Sequence, residues 1–208
     1  MKIGILGAGN VGTTLGRGLA GAGHEIIYAS RQPQSEKAQT LREQGAQVAL
    51  AAEVVQRADV LILATPWSAA QAVIESAGDF GGKPLLDATN PIGPGFTLTH
   101  GHNDSGAEQV QRWAPSAKVA KVFNTTGVEN MANPAYPAEH RAAMFVCADD
   151  EGACQAGLKL AADLGFEAVN AGDLTKARLL EPTALLWINL AIIQKQGRNM
   201  AFGLLRRS

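Results

Sequence analysis

Short apolar runs alternate with amphipathic segments along most of this chain. Runs of strand length recur at 2–6, 25–29, 47–50, 60–64, 84–87, 119–123, 142–147 and 167–170. Segments with the period of a helix lie between most of them, at 13–22, 35–44, 51–57, 68–78, 106–113 and 150–164. This alternation predicts an α/β fold with a doubly wound, mainly parallel sheet and helices on both faces.

The end of the chain has a different pattern. Residues 174–205 are strongly apolar with a helical period, and Pro182 is expected to break or kink that helix. A helix this apolar must pack on the domain, on a second subunit or on both. We therefore predict a domain at 1–173 and a short C-terminal helical extension at 174–208.

A glycine motif follows the first strand and opens the first helix. Its spacing is G-x-G-x-x-G, which in this position is typical of dinucleotide binding by a Rossmann-type fold. Gly7 allows a tight turn, Gly9 lets a pyrophosphate approach the backbone, and Gly12 lets the helix pack close to the strand. The alternative is a glycine-rich turn without a ligand. The predicted cofactor contacts are Gly7, Gly9, Asn10, Val11 and Gly12.

The end of the second strand indicates which dinucleotide binds. NAD sites usually carry Asp or Glu there, for the ribose 2′-hydroxyl. This chain has Ser30 and Arg31, and Lys37 follows in the next helix. A hydroxyl and a guanidinium favour a 2′-phosphate, so we predict NADP(H). Lys37 could also simply face water.

Three further segments follow strand-like runs, at 65–67, 88–91 and 124–127. Ligands of open α/β sheets bind beyond the carboxyl ends of the strands, so a cofactor is expected to pass 65–67 and to present its nicotinamide near the other two. For Pro66 and Asn90–Pro91 the alternative is a plain turn, and for Trp67 it is packing alone. The predicted cofactor contacts here are Thr65, Pro66, Trp67, Asn90 and Pro91.

The segment 92–106 is a long loop by ordinary standards, which predicts a lid or a mobile functional segment. It contains His100 and His102, but no cysteine or clear acidic third ligand accompanies them, so we predict no metal site. Two helix capping boxes are predicted, at Ser68–Gln71 and at Ser105–Glu108.

Composition narrows the function classes. A formal net charge of −1 over 208 residues does not point to nucleic acid or an anionic membrane as a partner. The two cysteines, Cys147 and Cys154, form no disulfide framework and no metal spacing. With no signal peptide and no apolar run long enough for a bilayer, a cytoplasmic protein is expected.

The motifs taken together resemble a known family, the NADPH-dependent deazaflavin reductases, or coenzyme F-420:NADP oxidoreductases. The chain is also similar to the cytosolic NADPH domain of the six-transmembrane epithelial antigen ferric reductases. The Lys-Val-Phe-Asn-Thr stretch is the most specific of the shared motifs, which lie in the same order at 7–12, 30–31, 64–67, 87–91, 119–125 and 171–174. The loop at 92–106 is not matched to the deazaflavin enzymes, and acceptor selectivity is expected there.

The resemblance implies one Rossmann domain with a short helical extension, assembled as a homodimer. It also implies that Asn124 and Thr125 lie near the nicotinamide and the acceptor, as substrate-binding residues. The transmembrane part of the ferric reductases is absent, so activity on a haem is not expected.

The predicted function is hydride transfer between NADPH and a small-molecule acceptor, either a flavin or a deazaflavin such as coenzyme F-420. Such chemistry needs stacking, orientation and exclusion of water more than side-chain acids or bases, so no catalytic residue is assigned. One alternative is an NADPH-dependent reductase of a small imine or carbonyl compound, which needs a proton donor. Another is an NADP(H)-sensing module without turnover.

Overall fold

The computed structural model describes residues 1–207, so Ser208, the last residue of the predicted extension, lies outside it. Its strands are β1 (Lys2–Leu6), β2 (Glu25–Ala29), β3 (Gln47–Ala49), β4 (Val60–Leu63), β5 (Pro84–Asp87), β6 (Ile92–Gly93), β7 (Thr97–Leu98), β8 (Lys118–Lys121), β9 (Ala143–Ala148) and β10 (Glu167–Gly172). Its α-helices are α1 (Asn10–Gly21), α2 (Glu36–Glu43), α3 (Ala51–Arg57), α4 (Trp67–Ala77), α5 (Gly106–Trp113), α6 (Val128–Ala132), α7 (Glu151–Asp163) and α8 (Ala177–Ile188).

Eight of the strands form one sheet, in the order β10-β9-β8-β5-β4-β1-β2-β3. All neighbours from β3 to β8 are parallel; β9 runs antiparallel to β8, and β10 is parallel to β9. The prediction of a doubly wound, mainly parallel Rossmann-type sheet is confirmed. The carboxyl ends of β1, β2, β4, β5 and β8 therefore meet along one edge, and strand order reverses between β1 and β4.

The core has two layers, one on each face of the sheet, because successive strand residues point to opposite sides. In β4, Ile62 joins the layer formed with α1 and α7, whereas Leu61 and Leu63 join the layer formed with α3, α4 and α5. All three side chains are fully buried. This is why the strand reads as a continuous apolar run in the sequence.

Two local predictions about helix and strand ends need correction. The helix after β4 begins at Trp67 with Pro66 at its N-cap, and no described side chain caps it, so the predicted capping box at Ser68–Gln71 is wrong. Proline suits this position because its φ is preset and it has no N–H to leave unpaired. The strand predicted at 119–123, which is β8, ends at Lys121, since the chain turns at Phe123 with φ 63°.

The second capping box forms in part. The Ser105 hydroxyl accepts a hydrogen bond from the Glu108 N–H at 3.2 Å, as expected, and donates to the Glu108 carboxylate at 2.7 Å. The Ser105 N–H instead donates to Asp104 at 2.9 Å. The cap still defines where α5 begins.

The C-terminal helix is shorter than the predicted 174–205. A 3-10 turn at Leu174–Lys176 leads into α8, which continues through Pro182 without a break, and a π-helical turn ends at Ile193. A polar run follows, in which Lys195 and Gly197 have φ angles of 55° and 90°. Positive φ ends a right-handed helix, so the remaining residues to 207 are not helical.

The extension nevertheless packs on the domain. Leu174, Ala177 and Leu180 belong to the same buried layer as β5 and α5. The non-helical tail is anchored as well, since the Ala143 N–H donates to the Phe202 carbonyl at 2.8 Å. The boundary at 173 stays a prediction. Within residues 1–207, no helix combines the length and the apolarity needed to cross a bilayer.

Candidate functional site

The glycine loop between β1 and α1 has the geometry that the motif predicts. Gly7 has φ 119°, and a Cβ there would lie 2.4 Å from the Ala64 carbonyl oxygen. A Cβ on Gly12 would lie 1.9 Å from the Gly7 carbonyl oxygen, so only glycine lets α1 approach the loop this closely. A Cβ on Gly9 would meet nothing within 4 Å. The space in front of Gly9 is therefore open to a ligand.

No side chain among residues 1–207 caps the N-terminus of α1. Gly9 is the N-cap residue, and no acidic residue lies in the first turn. The Thr13 hydroxyl and N–H both donate to the Gly9 carbonyl, at 2.8 and 2.9 Å, so the first helical turn closes on Gly9. The N–H groups of Asn10 and Val11 open the helix and therefore have no acceptor within it. Such an end attracts a phosphate through both N–H groups and helix dipole.

Two of the three residues predicted to read the 2′-phosphate, Ser30 and Arg31, follow β2, and the third, Lys37, lies in α2. The Ser30 N–H donates to the Ala49 carbonyl at 2.9 Å, and its hydroxyl accepts from the Gln32 N–H at 3.1 Å, so the turn is well held. Arg31 is exposed and makes no ion pair or side-chain hydrogen bond within residues 1–207. Lys37 is exposed in the first turn of α2. The cationic groups are thus available to an anion.

The segment after β4 lies beside the glycine loop. Thr65 contacts Gly7, and its buried hydroxyl has no hydrogen-bond partner among residues 1–207. Pro66 is exposed. The Trp67 ring packs against Trp113 at 5.1 Å and edge-on against His100 at 5.5 Å between centroids. Packing therefore accounts for part of the Trp67 surface.

An amide pair joins the ends of β5 and β8. The Asn90 side chain donates to the Asn124 carbonyl at 2.9 Å, and the Asn124 side chain donates to the Asn90 amide oxygen at 3.1 Å and to the Leu180 carbonyl at 3.2 Å. Asn124 and Thr125 are buried at 3% and 2% exposure. Pro91 is buried also. The predicted residues at these two strand ends therefore do come together, with Asn90 half-buried and the other three buried.

Sequence reasoning missed a buried charged group under this edge, which we name the Lys121 cluster (Asp87, Lys121 and Glu181). The Lys121 ammonium donates to Asp87 at 2.9 Å, to Glu181 at 2.8 Å and to the Thr89 carbonyl at 2.6 Å. All three side chains are at most 1% exposed. Burial alone would lower the pKa of Lys121, but the two carboxylates outweigh it and the pKa is raised. The lysine is charged in the folded protein.

The remaining oxygens of the cluster are also satisfied. Asp87 accepts from the Thr89 N–H at 2.9 Å and from its hydroxyl at 2.7 Å. Glu181 accepts from the N–H groups of Gly106 and Ala107, at 2.8 and 3.0 Å, and so caps α5 although it is remote in the sequence. Asp87 and Lys121 lie inside motifs that the sequence analysis noted, but nothing local links them to Glu181.

The segment 92–106 is more ordered than the predicted long loop. It contains the antiparallel hairpin β6–β7 around a 3-10 turn at Pro94–Phe96, and the Thr99 N–H and hydroxyl both bond to the Pro91 carbonyl. A cavity of about 470 Å³ separates residues 98–102 from α8. Within residues 1–207, no three His, Cys, Asp or Glu side chains group as metal ligands.

Comparisons with known proteins identify the family to which this chain belongs. Residues 2–91 match the family model described as NADP oxidoreductase coenzyme F420-dependent. A proposed F420-dependent NADP-reductase of Arthrobacter sp. FB24 is 33% identical, with a TM-score of 0.90 over 99% of this chain and 100% of that one. Rat metalloreductase STEAP3 is 28% identical over 88% of this chain, which spans 36% of that protein. A reductive aminase of Aspergillus terreus is 19% identical, with a TM-score of 0.68, and the match covers 93% of this chain and 62% of the aminase.

The last of these matches shows the fold alone. Fold and glycine loop define the class, an NADPH-dependent oxidoreductase built on a Rossmann-type domain. The chain belongs to the family of F420-dependent NADP oxidoreductases. The predicted relation to the six-transmembrane ferric reductases is confirmed by the STEAP3 match.

Proposed function

We propose that this enzyme transfers a hydride between NADPH and a flavin-like or deazaflavin acceptor, with coenzyme F-420 as the family's own example. The observation that carries the proposal is Arg31, just after β2, whose guanidinium is exposed and has no ion pair with any residue that the structure describes. It lies on the same sheet edge as the open space at Gly9 and the uncapped end of α1. One extended ligand with a 2′-phosphate and a pyrophosphate would satisfy all three.

The residues present fit that ligand. Ser30 and Arg31 would bind the 2′-phosphate, with Lys37 adding charge, and the N–H groups of the glycine loop would bind the pyrophosphate. The bound NADPH supplies the hydride. The edge formed by Asn90 and Asn124 would orient the ring and the acceptor against each other, and Trp67 would close the site to water. Because the residues bind and orient the cofactor and the cofactor supplies the hydride, the reaction needs no side-chain acid or base.

Turnover of a matched acceptor panel tests this function. We would mix the purified enzyme with NADPH and, separately, F-420, FMN, riboflavin or a ferric chelate, and follow absorbance at the nicotinamide band. We expect oxidation of NADPH with at least one of the flavin-type acceptors, and much slower oxidation of NADH. Tight NADPH binding with no oxidation by any acceptor would favour the sensing module instead.

We also propose that two copies of the chain form a homodimer through α8. Its outer face exposes Leu179 (65%) and Leu186 (50%), and the π-helical turn that follows exposes Ile193 (48%). Leu179 and Leu186 are seven residues apart, about two turns of α8, so they form one apolar row along the helix, and Ile193 extends the exposed apolar stretch beyond it. A second copy related by a twofold axis presents the same row and can cover it. A cytoplasmic location is also proposed, since the thiols of Cys147 and Cys154 are unpaired.

A further inference from the structure

The Lys121 cluster lies directly below the two loops that the proposed function assigns to the nicotinamide and the acceptor. Three hydrogen bonds join the cluster to Thr89. Lys121 donates to the Thr89 carbonyl, and the Thr89 N–H and hydroxyl donate to Asp87. Thr89 precedes Asn90, whose side chain pairs with Asn124. The position of this amide pair is therefore set by the residue beneath it.

Helix α8 reaches the same place from the other side. Glu181 contacts Lys121 and the first N–H groups of α5, and the Leu180 carbonyl accepts from the Asn124 side chain. Two successive residues of the C-terminal extension thus reach both strand-end loops. Leu180 bonds directly to Asn124, and Glu181 bonds to Lys121, which in turn bonds to Thr89. A surface appendage whose only role was dimer contact would not need these polar links.

Stability alone does not account for the cluster. Buried ion pairs are often no more stabilising than apolar side chains of similar volume, because desolvation offsets their attraction. Helix α8 already has apolar anchors, with Ala177, Leu180 and Ala184 buried against the domain. A second ion pair, Arg178 with Glu108 at 2.6 Å, also joins α8 to α5 nearer the surface. The distinct property of the cluster is its fixed, fully satisfied geometry.

We propose that Glu181 is a positioning residue for hydride transfer. Acting through Lys121, it holds the Thr89–Pro91 turn, and with it the Asn90–Asn124 pair, in the place that the nicotinamide and the acceptor require. It touches no reacting atom. This inference rests on the proposed function, because it assumes that the edge at Asn90 and Asn124 receives the nicotinamide.

A matched pair of variants tests the assignment. Glu181→Gln and Glu108→Gln each neutralise one carboxylate between α5 and α8, but only the first belongs to the Lys121 cluster. For each we would measure kcat and KM with NADPH and FMN, the affinity for 2′,5′-ADP, and the fluorescence emission of bound NADPH. The last two separate the adenosine half of the site from the nicotinamide half.

We expect Glu181→Gln to lower kcat by about ten- to a hundredfold, as for a misplaced reacting group. The affinity for 2′,5′-ADP stays within about twofold, and the emission of bound NADPH changes because the ring environment changes. Glu108→Gln leaves all of these values near those of the wild type. Equal effects of the two variants, or an unchanged kcat and emission in Glu181→Gln, would overturn the proposal.

A milder variant covers the case in which Glu181→Gln does not fold. Thr89→Val removes the hydroxyl contact to Asp87 but leaves every charge in place. We expect a smaller fall in kcat, of about threefold, with the same change in emission; no change in either would contradict the proposal. If the wild type binds NADPH but reduces no acceptor, the hydride-transfer function fails, while the emission measurement still decides whether Glu181 positions the ring.

Discussion

Gly12 lies against Gly7 so closely that a Cβ on Gly12 would come within 1.9 Å of the Gly7 carbonyl oxygen. Gly9, between them, would place its Cβ in open space. The same motif therefore contains one glycine required by packing and one that packing does not require. If the open space belongs to the cofactor, these two positions respond to substitution in opposite ways.

We expect Gly9→Ala to lower the free energy of unfolding by no more than about 1 kcal/mol, the cost of alanine at an N-cap, but to weaken NADPH binding about tenfold. Gly12→Ala should lower the free energy of unfolding by about 1–3 kcal/mol, because the added methyl group overpacks the contact with Gly7. Denaturant unfolding and NADPH titration measure both. Gly21→Ala is the control, because its Cβ is also free of contacts but lies at the far end of α1. Normal NADPH affinity in Gly9→Ala would argue against the pyrophosphate at this loop.

Arg31→Ala tests the choice of NADP(H) over NAD(H). A guanidinium bonded to a phosphate contributes about 1.5–3 kcal/mol, so the affinity for NADPH should fall by roughly ten- to a hundredfold. The affinity for NADH should barely change. Arg207→Ala removes an exposed arginine from the C-terminal tail and should affect neither. Equal losses for the two nucleotides would show that Arg31 does not read the 2′-phosphate.

Most of the fold could be predicted because its determinants are local. The central strands β1, β4 and β5 are mostly apolar, and the fully buried β4 is apolar throughout. The glycine loop was predictable for the same reason, since Gly7 and Gly12 act within a few residues of each other. Errors occurred where a tertiary contact or a neighbouring proline decided the outcome, as at Pro66 and in the tail after Ile193.

The Lys121 cluster could not be predicted because its members are far apart in the sequence. Sixty residues separate Lys121 from Glu181, and each is surrounded by residues typical of a buried strand or helix. The signal available was a charge within an apolar stretch, since a buried Lys or Glu is rarely without a partner. Which charge pairs with which follows only from the packing of α8 on the sheet.

Lys121→Met should destabilise the protein by about 3–5 kcal/mol, because it leaves two carboxylates buried without their cation. The raised pKa of Lys121 means that its stabilisation is fully present below the ordinary lysine pKa of about 10.4 and is lost only as the pH rises through the folded value. Denaturant unfolding at neutral pH measures the loss. Lys118 is the control, because it lies on the same strand but is exposed, with its ammonium 3.8 Å from the Asp150 carboxylate. Lys118→Met should lower the free energy of unfolding by less than about 1 kcal/mol.

Both cysteines should be unreactive in the folded protein. Burial raises the pKa of the Cys147 thiol to about 12, and burial also raises that of Cys154. The thiolate is the reactive form, so at pH 8 about one Cys147 in ten thousand is ionised. A thiol-reactive disulfide reagent should modify neither cysteine under native conditions and both in denaturant. Rapid labelling of the native protein would contradict the buried, protonated state.

Leu186→Glu tests the proposed dimer. Leu186 is 50% exposed in the middle of the apolar row on α8, and a carboxylate there would have to be desolvated between two copies. We expect the wild type to sediment as a dimer and Leu186→Glu to dissociate at micromolar concentration. Leu50→Glu is the matched control, since Leu50 is 47% exposed but does not lie on α8. We expect this variant to remain dimeric. A monomeric wild type, or equal dissociation of both variants, would remove α8 as the interface.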